Sequence, residues 1–212
     1  MISRTQKIVV LVSGGMDSAV LLDWACRRFE RVIPVYVRCG MRWETAELFW
    51  LRRYLRRAPC RKRQMLRVLH MPVADLYQRH WSVVGSKQVP GYRSRDEAVF
   101  LPGRNLLFLS KVSVFCYSEG VGNIALGTLA GNPFLDSRAQ FFRAFEESYR
   151  EALGPSLKIR VPFRTKKKSA VLRLGRCLPL ELTFSCLNPR CNAPCGRCNK
   201  CAERARVLKN IA

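Results

Sequence analysis

The readable pattern of the chain begins with an unbroken apolar run, Lys7-Ile8-Val9-Val10-Leu11-Val12. A run without alternation predicts a strand covered on both faces. A glycine turn follows, and Ala19-Val20-Leu21-Leu22-Asp23-Trp24-Ala25 then reads as helix. Val32 to Val37 predicts a second strand, in which Pro34 marks a strand start or an irregularity. From Glu44 to Arg57 the apolar positions Leu48, Leu51 and Leu55 recur at helical spacing. Arg67 to Met71 predicts a third strand, Asn105 to Ser118 a mostly apolar helix, and Asn123 to Gly127 a fourth strand. Gln140 to Leu153 reads as helix, Lys158 to Pro162 as a short strand, and Lys168 to Gly175 as a short helix that Gly175 stops. Ala202 to Leu208 predicts a last helix.

Strands that alternate with helices imply parallel strands joined by right-handed crossovers. The expected fold is therefore α/β, a doubly wound, mostly parallel sheet. Residues 78 to 104 have no clear period and hold Gly85, Pro90, Gly91, Pro102 and Gly103. A loop of that length in a compact domain is expected to serve as a functional lid.

The turn after the first strand changes the picture from architecture to chemistry. It reads Ser13-Gly14-Gly15-Met16-Asp17-Ser18, preceded by Val12. In a doubly wound sheet, ligands bind at the carboxyl ends of the strands. Gly14 and Gly15 let the backbone approach a phosphate, the helix start favours an anion, and Ser13 and Ser18 add hydroxyl donors. Asp17 would repel phosphate, so its carboxylate makes sense as a contact for Mg2+. The bland alternative is a Ser/Gly turn capped by Asp17.

Composition sets the outer bounds. The chain has 212 residues, 48% of them hydrophobic, enough for one domain with a core and a small appendage. No apolar run reaches the ~18 residues of a membrane span. The first residues run into the strand without a secretory pattern, which gives the expectation of a cytoplasmic protein. The formal net charge of +23 suits a polyanionic partner or an Arg-rich solvated surface equally.

Of ten cysteines, Cys26, Cys39, Cys60, Cys116 and Cys177 are scattered, and are expected to be small core hydrophobes. The other five crowd near the C-terminus, which in a reducing compartment favours a metal site over disulfides. Cys195, Cys198 and Cys201 are spaced to turn onto one ion, and Cys186 closes the tetrahedron. Cys191 is the alternative fourth ligand. Four thiolates suit a structural Zn2+, with an iron–sulfur cluster as the alternative. The division expected is a nucleotide-binding domain over residues 1–180 and a metal-binding segment over residues 181–212.

S-G-G-x-D-S resembles the PP-loop of the ATP pyrophosphatases, the adenine nucleotide alpha hydrolase-like fold. Together with C-x8-C-x2-C-x2-C it resembles the 7-cyano-7-deazaguanine synthase family (QueC/ExsB-like). The likeness runs along nearly the whole chain: Pro102-Gly103-Arg104-Asn105 resembles the family's P-G-R-N, and Gly40, Arg42 and Glu44 its G-x-R-x-E. Asp136-Ser137-Arg138 stands where the family has D-C-R, Lys168 where it has a lysine before a short helix, and Ser185-Cys186 matches its entry to the zinc site.

The resemblance implies a ligase that uses ATP and ammonia to turn 7-carboxy-7-deazaguanine into its nitrile through an adenylated carboxylate. The cofactors it implies are ATP, Mg2+ and Zn2+. Asp17, Arg104 and Lys168 are then the catalytic candidates. Val12 to Ser18 and Asn105 are candidates for nucleotide binding, and Asp136 and Arg138 for substrate binding. Arg104 and Lys168 would disperse the charge that develops when a carboxylate attacks a polyphosphate.

The loop Gly131-Asn132-Pro133-Phe134-Leu135-Asp136-Ser137-Arg138 departs from the family's G-Y-P-D-C-R. Trp43 replaces a common histidine, and Ala170 stands where an acidic residue often follows the lysine. These departures leave open a paralogue that adenylates an RNA or protein group. A non-catalytic basic nucleic-acid binder is the further alternative, but aromatic residues are not concentrated near the cysteine segment. No membrane partner is expected, and a homodimer is left open.

Overall fold

The computed structural model describes residues 3–78, 80–83 and 89–209. Its centre is a sheet of five strands, β1 (Lys7–Leu11), β2 (Arg31–Arg38), β3 (Arg67–His70), β4 (Asn123–Ala125) and β5 (Lys158–Arg160). The order is β3-β2-β1-β4-β5, and every pairing is parallel. The helices are α1 (Met16–Cys26), α2 (Glu44–Arg57), α3 (Ala74–Tyr77), α4 (Arg104–Ser118), α5 (Ala139–Leu153), α6 (Lys168–Leu174) and α7 (Asn199–Lys209). The doubly wound sheet expected from the alternation is present.

The apolar runs of β1 and β2 are explained by cover on both faces. Ile8, Val10, Val32 and Tyr36 face α1, α2 and α6, through Leu21, Leu51, Tyr54 and Leu172. Val9, Ile33, Val35 and Val37 face the other way, in a core shared with Leu109 and Val112 of α4 and Phe142 of α5. Each strand therefore divides its residues between two apolar layers, and the burial of both layers drives the fold.

Pro34 proves to be an irregularity and not a strand start. It lies inside β2, paired with Val10 of β1. Val32 is bonded on its outer side to Lys62 and Gln64, and the regular ladder with β3 begins only at Val35 opposite Arg67. Alternation places the missing N–H of Pro34 on that same outer side, in the gap between the two, so no ladder bond is lost.

The scattered cysteines need a correction. Cys39 and Cys116 are buried thiols, as expected, but Cys26 and Cys60 form a disulfide with Cα atoms 5.9 Å apart, and Cys177 is exposed. The two helices α1 and α2 return over the same face of the sheet, which brings their C-terminal ends side by side. Gly175 ends α6 as expected, yet its φ is −99° and it is not a left-handed cap. A Cβ there would run into the side chain of Val20, so the glycine lets α6 lie close on α1.

The long loop is seen on both sides of residues 84–88, which lie outside the described part. It carries a short 3-10 turn, Asp96–Val99. It docks on the cysteine segment: the Asn199 amide donates to Pro90 O at 3.0 Å and its side chain to Ser94 O at 2.6 Å. The segment after residue 180 folds back on the core. The Phe184 amide donates to Gly14 O at 2.7 Å, and Cys186, Leu187 and Cys198 join the apolar layer of α4. No helix among the described residues is long and apolar enough to cross a membrane.

Candidate active site

β1 has β2 on one side and β4 on the other, so the order of the strands reverses between β1 and β4. The carboxyl ends of those two strands part at such a point and leave a crevice. The crevice is a cleft of about 480 Å³ whose walls include Ser13, Asp17, Arg104, Gly131, Lys168 and Glu203. A side compartment of about 270 Å³ lies against it and shares Ser13, Asp17 and Arg104, and adds Ser18, Asn105, Thr128 and Asp136.

The glycine loop meets the cleft at the start of α1. Gly14 has φ +76°, and a Cβ on it would come within 3.3 Å of Glu47 O and 3.4 Å of Leu51, so the turn needs glycine for conformation and for space. The hydroxyls expected to serve the ligand are partly committed to the loop itself. Ser18 Oγ donates to Gly15 O at 2.9 Å and accepts the Ser13 amide at 3.3 Å, and Ser13 Oγ accepts the Gly15 amide at 3.4 Å. Val12 is buried, and Met16 opens the helix, where the first amides have no carbonyl to bond within it. That end can take an anion.

Asp17 and Lys168 face one another across the floor. Lys168 Nζ lies 3.2 Å from Asp17 Oδ2 and 2.6 Å from Glu203 Oε1. The other Glu203 oxygen is 2.8 Å from Lys200 Nζ. Asp17 Oδ1 is buried and has no hydrogen-bond partner among the described residues. Burial pushes the Asp17 carboxyl above its ordinary range, and Lys168 offsets only part of that. Burial also works against the Lys168 ammonium, but Asp17 and Glu203 outweigh it and hold Lys168 above its usual value. Burial would raise Glu203, yet the two lysines pull it down to about 2.

Arg104, the first residue of α4, borders the cleft, the side compartment and a smaller cavity of about 70 Å³ beside Tyr36 and Glu47, its guanidinium 5.0 Å from the centre of the Phe108 ring. Beneath it lies Glu47, whose Oε2 accepts the Tyr36 hydroxyl at 2.8 Å. Burial pushes the Glu47 carboxyl up to about 8, against the pull of Arg104. Glu44 does a different job: it accepts the amides of Cys39 at 2.6 Å and Gly40 at 3.0 Å and so ties down the turn after β2.

The substrate candidates are placed unevenly. Asp136 Oδ2 accepts the Asn105 amide at 2.9 Å, and the Asn105 side chain donates to Asp136 O at 3.0 Å. The two residues thus hold each other and fasten the Gly131–Arg138 loop to the start of α4, at the edge of the side compartment. Arg138 is exposed at the start of α5 and borders neither cavity. Phe134 stacks on Phe100 at 4.8 Å and closes one side of the cleft. Sequence reasoning missed Glu47, Lys200 and Glu203. The signal available for the last two was their place at and just past the last thiols, in a helix expected to serve only as a dock.

The cysteines meet as expected. The Sγ atoms of Cys186, Cys195, Cys198 and Cys201 all lie within 4.8 Å of one another, and those of Cys186 and Cys198 are 3.9 Å apart. Sulfurs around a tetrahedral ion with bonds of about 2.3 Å stand about 3.8 Å apart. Backbone amides point at the sulfurs: Asn188 and Cys195 donate to Cys186, Leu187 to Cys198 and Arg197 to Cys195, at 3.2–3.4 Å. Such donors favour thiolates, the form that binds metal. Cys191 is exposed, with φ +52°, and stands outside the group. The four can hold a metal ion, and the thiol that joins Cys195, Cys198 and Cys201 is that of Cys186 and not Cys191.

Comparison with known proteins agrees with this geometry. The family model described as "Queuosine biosynthesis protein QueC" matches residues 7–212. The "7-cyano-7-deazaguanine synthase 1" of Desulfitobacterium hafniense is 28% identical over 207 residues, 96% of this chain and 91% of that one. The "7-cyano-7-deazaguanine synthase" of Aquifex aeolicus is 31% identical over 216 residues, 96% of this chain and 97% of that one. Among solved structures, a 4-thiouridine synthetase in complex with RNA and bound ATP shares the fold with TM-score 0.51 at 16% identity, over 97% of this chain and 50% of that one. The predicted subunit of a tRNA methyltransferase from Methanocaldococcus jannaschii shares it with TM-score 0.50 at 12% identity, over 79% and 73%. On the family match over nearly its whole length, the chain belongs to the QueC family of queuosine biosynthesis proteins and is an ATP-dependent ligase.

Proposed function

We propose that this ligase converts 7-carboxy-7-deazaguanine and ammonia to 7-cyano-7-deazaguanine. The observation that carries the reading is Asp17: a buried carboxylate oxygen without a partner among the described residues, beside a phosphate-type loop, in a cleft that Lys168 and Arg104 also line. An unpaired buried acceptor is costly unless a ligand satisfies it. Mg2+ carried in with ATP fits that oxygen, since it prefers one or two carboxylates plus phosphate oxygens. When bound, it would neutralise phosphate charge.

In the reaction proposed, a carboxylate oxygen of the substrate attacks the α-phosphorus of ATP and pyrophosphate leaves. Ammonia adds to the acyl carbon, AMP departs with that oxygen, and a proton is lost, which gives the amide. The amide oxygen is then adenylated by a second ATP. Loss of AMP and of the two remaining nitrogen-bound protons gives the nitrile. The amides of Gly15 to Ser18 would bind the departing pyrophosphate. Arg104 and Lys168 would stabilise the charge that moves onto the phosphates. The four thiolates fit a structural Zn2+, which leaves no coordination position open for chemistry. A cytoplasmic location goes with this small-molecule chemistry.

A second reading keeps adenylation but changes the acceptor to an RNA or protein group. It is favoured by the altered Gly131–Arg138 loop, in which Asp136 is spent on Asn105. Pyrophosphate release separates the two readings. It is expected to depend on both 7-carboxy-7-deazaguanine and ammonium, and to vanish in Asp17→Ala while the metal content stays. Release driven only by RNA or a protein acceptor would support the second reading instead.

A further inference from the structure

Lys168 is the cation nearest to Asp17, and no acidic residue lies within its own short helix, Lys168–Leu174. Its second counter-charge arrives from far along the chain. Glu203 sits on α7, two residues after the thiol of Cys201, and Lys200 lies between Cys198 and Cys201. The contact from Lys168 to Glu203 is the shorter of its two, 2.6 Å against 3.2 Å to Asp17. Lys200 holds the other Glu203 oxygen at 2.8 Å, which fixes the carboxylate plane.

The helix that carries this pair is pinned on three sides. Cys198 and Cys201 belong to the thiol group, Asn199 bonds the long loop at Ser94, and Arg204 donates to Thr183 Oγ1 at 2.8 Å and Leu180 O at 3.1 Å. Geometry at the metal-binding group therefore decides where Glu203 stands in the cleft.

We propose that Glu203 is a positioning residue: it draws Lys168 away from Asp17 and so keeps the Asp17 carboxylate available to Mg2+ on the nucleotide. With Glu203 removed, Asp17 is the one carboxylate left to Lys168 among the described residues, and the pair neutralises the group that Mg2+ needs. One negative charge is also lost beside the phosphates, so nucleotide without Mg2+ is repelled less. Both effects act in one direction on a single quantity, the gain in nucleotide affinity that Mg2+ provides. A merely structural role for Glu203 would weaken binding with and without Mg2+ alike and leave that gain unchanged. The inference rests on Asp17 as the magnesium contact, not on the identity of the acceptor.

The test is calorimetric titration of the metal-loaded protein with α,β-methylene-ATP, which cannot lose pyrophosphate, in the presence and absence of Mg2+. For Glu203→Gln the ratio of the two affinities is expected to fall by about tenfold, a modest share of what a unit charge a few ångströms away can exert. Lys200→Met leaves Glu203 to Lys168 alone and is expected to keep or raise the ratio. Metal content and near-ultraviolet dichroism confirm that each variant is folded. An unchanged ratio in Glu203→Gln beside a normal wild-type gain overturns the inference alone. A wild-type protein whose nucleotide affinity gains nothing from Mg2+ overturns the Asp17 reading and this inference with it.

Discussion

Glu47 shows what burial does to one side chain. It is the buried carboxyl between β2 and α4, facing Tyr36, Glu44 and Arg104. Burial dominates, so the group stays protonated up to about 8, against an ordinary value of 4.5. A folded-state value above the unfolded one means that the native state holds the extra proton through that window. Its contribution to stability is full below 4.5 and is lost as pH rises toward about 8. Glu47→Gln keeps the shape and removes the titration. Relative to that variant, the wild type is expected to lose roughly 2–4 kcal/mol of unfolding free energy between about pH 5 and pH 8 in urea titrations. Parallel pH profiles for the two proteins would show that Glu47 is an ordinary ionised carboxylate. Nothing in the sequence flagged it, because a glutamate at helical spacing from other polar positions reads as surface. Asp17 was legible because glycines and serines surround it. Glu203 was not, because its partner Lys168 lies 35 residues earlier and only the fold joins them.

At the scale of elements, local pattern carried furthest where it was repeated. The helix over Glu44–Arg57 was expected with the bounds that α2 has, since Leu48, Leu51 and Leu55 mark one face and Leu51 is buried. The group of four thiols was legible in its cysteines, because thiol spacing is short-range information. What it positions was not, for α7 looked like a dock and turns out to reach the cleft. The pairing of Cys26 with Cys60 also escaped, since helices α1 and α2 bring the two together over 34 residues with no local motif. The ligand assignment predicts a contrast between two substitutions. Cys198→Ser is expected to empty the site, as read by metal analysis, and to lower the thermal midpoint by more than ~10 °C, because metal binding and folding are coupled. Cys191→Ser is expected to keep both metal and midpoint. Metal loss in Cys191→Ser would mean that the exposed thiol, not Cys186, completes the set.

At the scale of the molecule, the strand order decides where chemistry can occur. Reversal between β1 and β4 opens one crevice, and charged groups reach it from several parts of the chain: Asp17 from α1, Arg104 from α4, Lys168 from α6, Lys200 and Glu203 from α7. The net charge of +23, from 38 basic and 15 acidic residues, suits an anionic co-substrate. In the proposed reaction a carboxylate is adenylated in that crevice. It is tested most directly by giving the protein ATP, ammonium and 7-carboxy-7-deazaguanine whose carboxylate oxygens carry a heavy isotope, and weighing the AMP that forms. Each AMP is expected to carry one labelled oxygen, the first taken from the carboxylate and the second from the amide. AMP without label would contradict it, because the phosphorus would then have been attacked by water and not by the substrate.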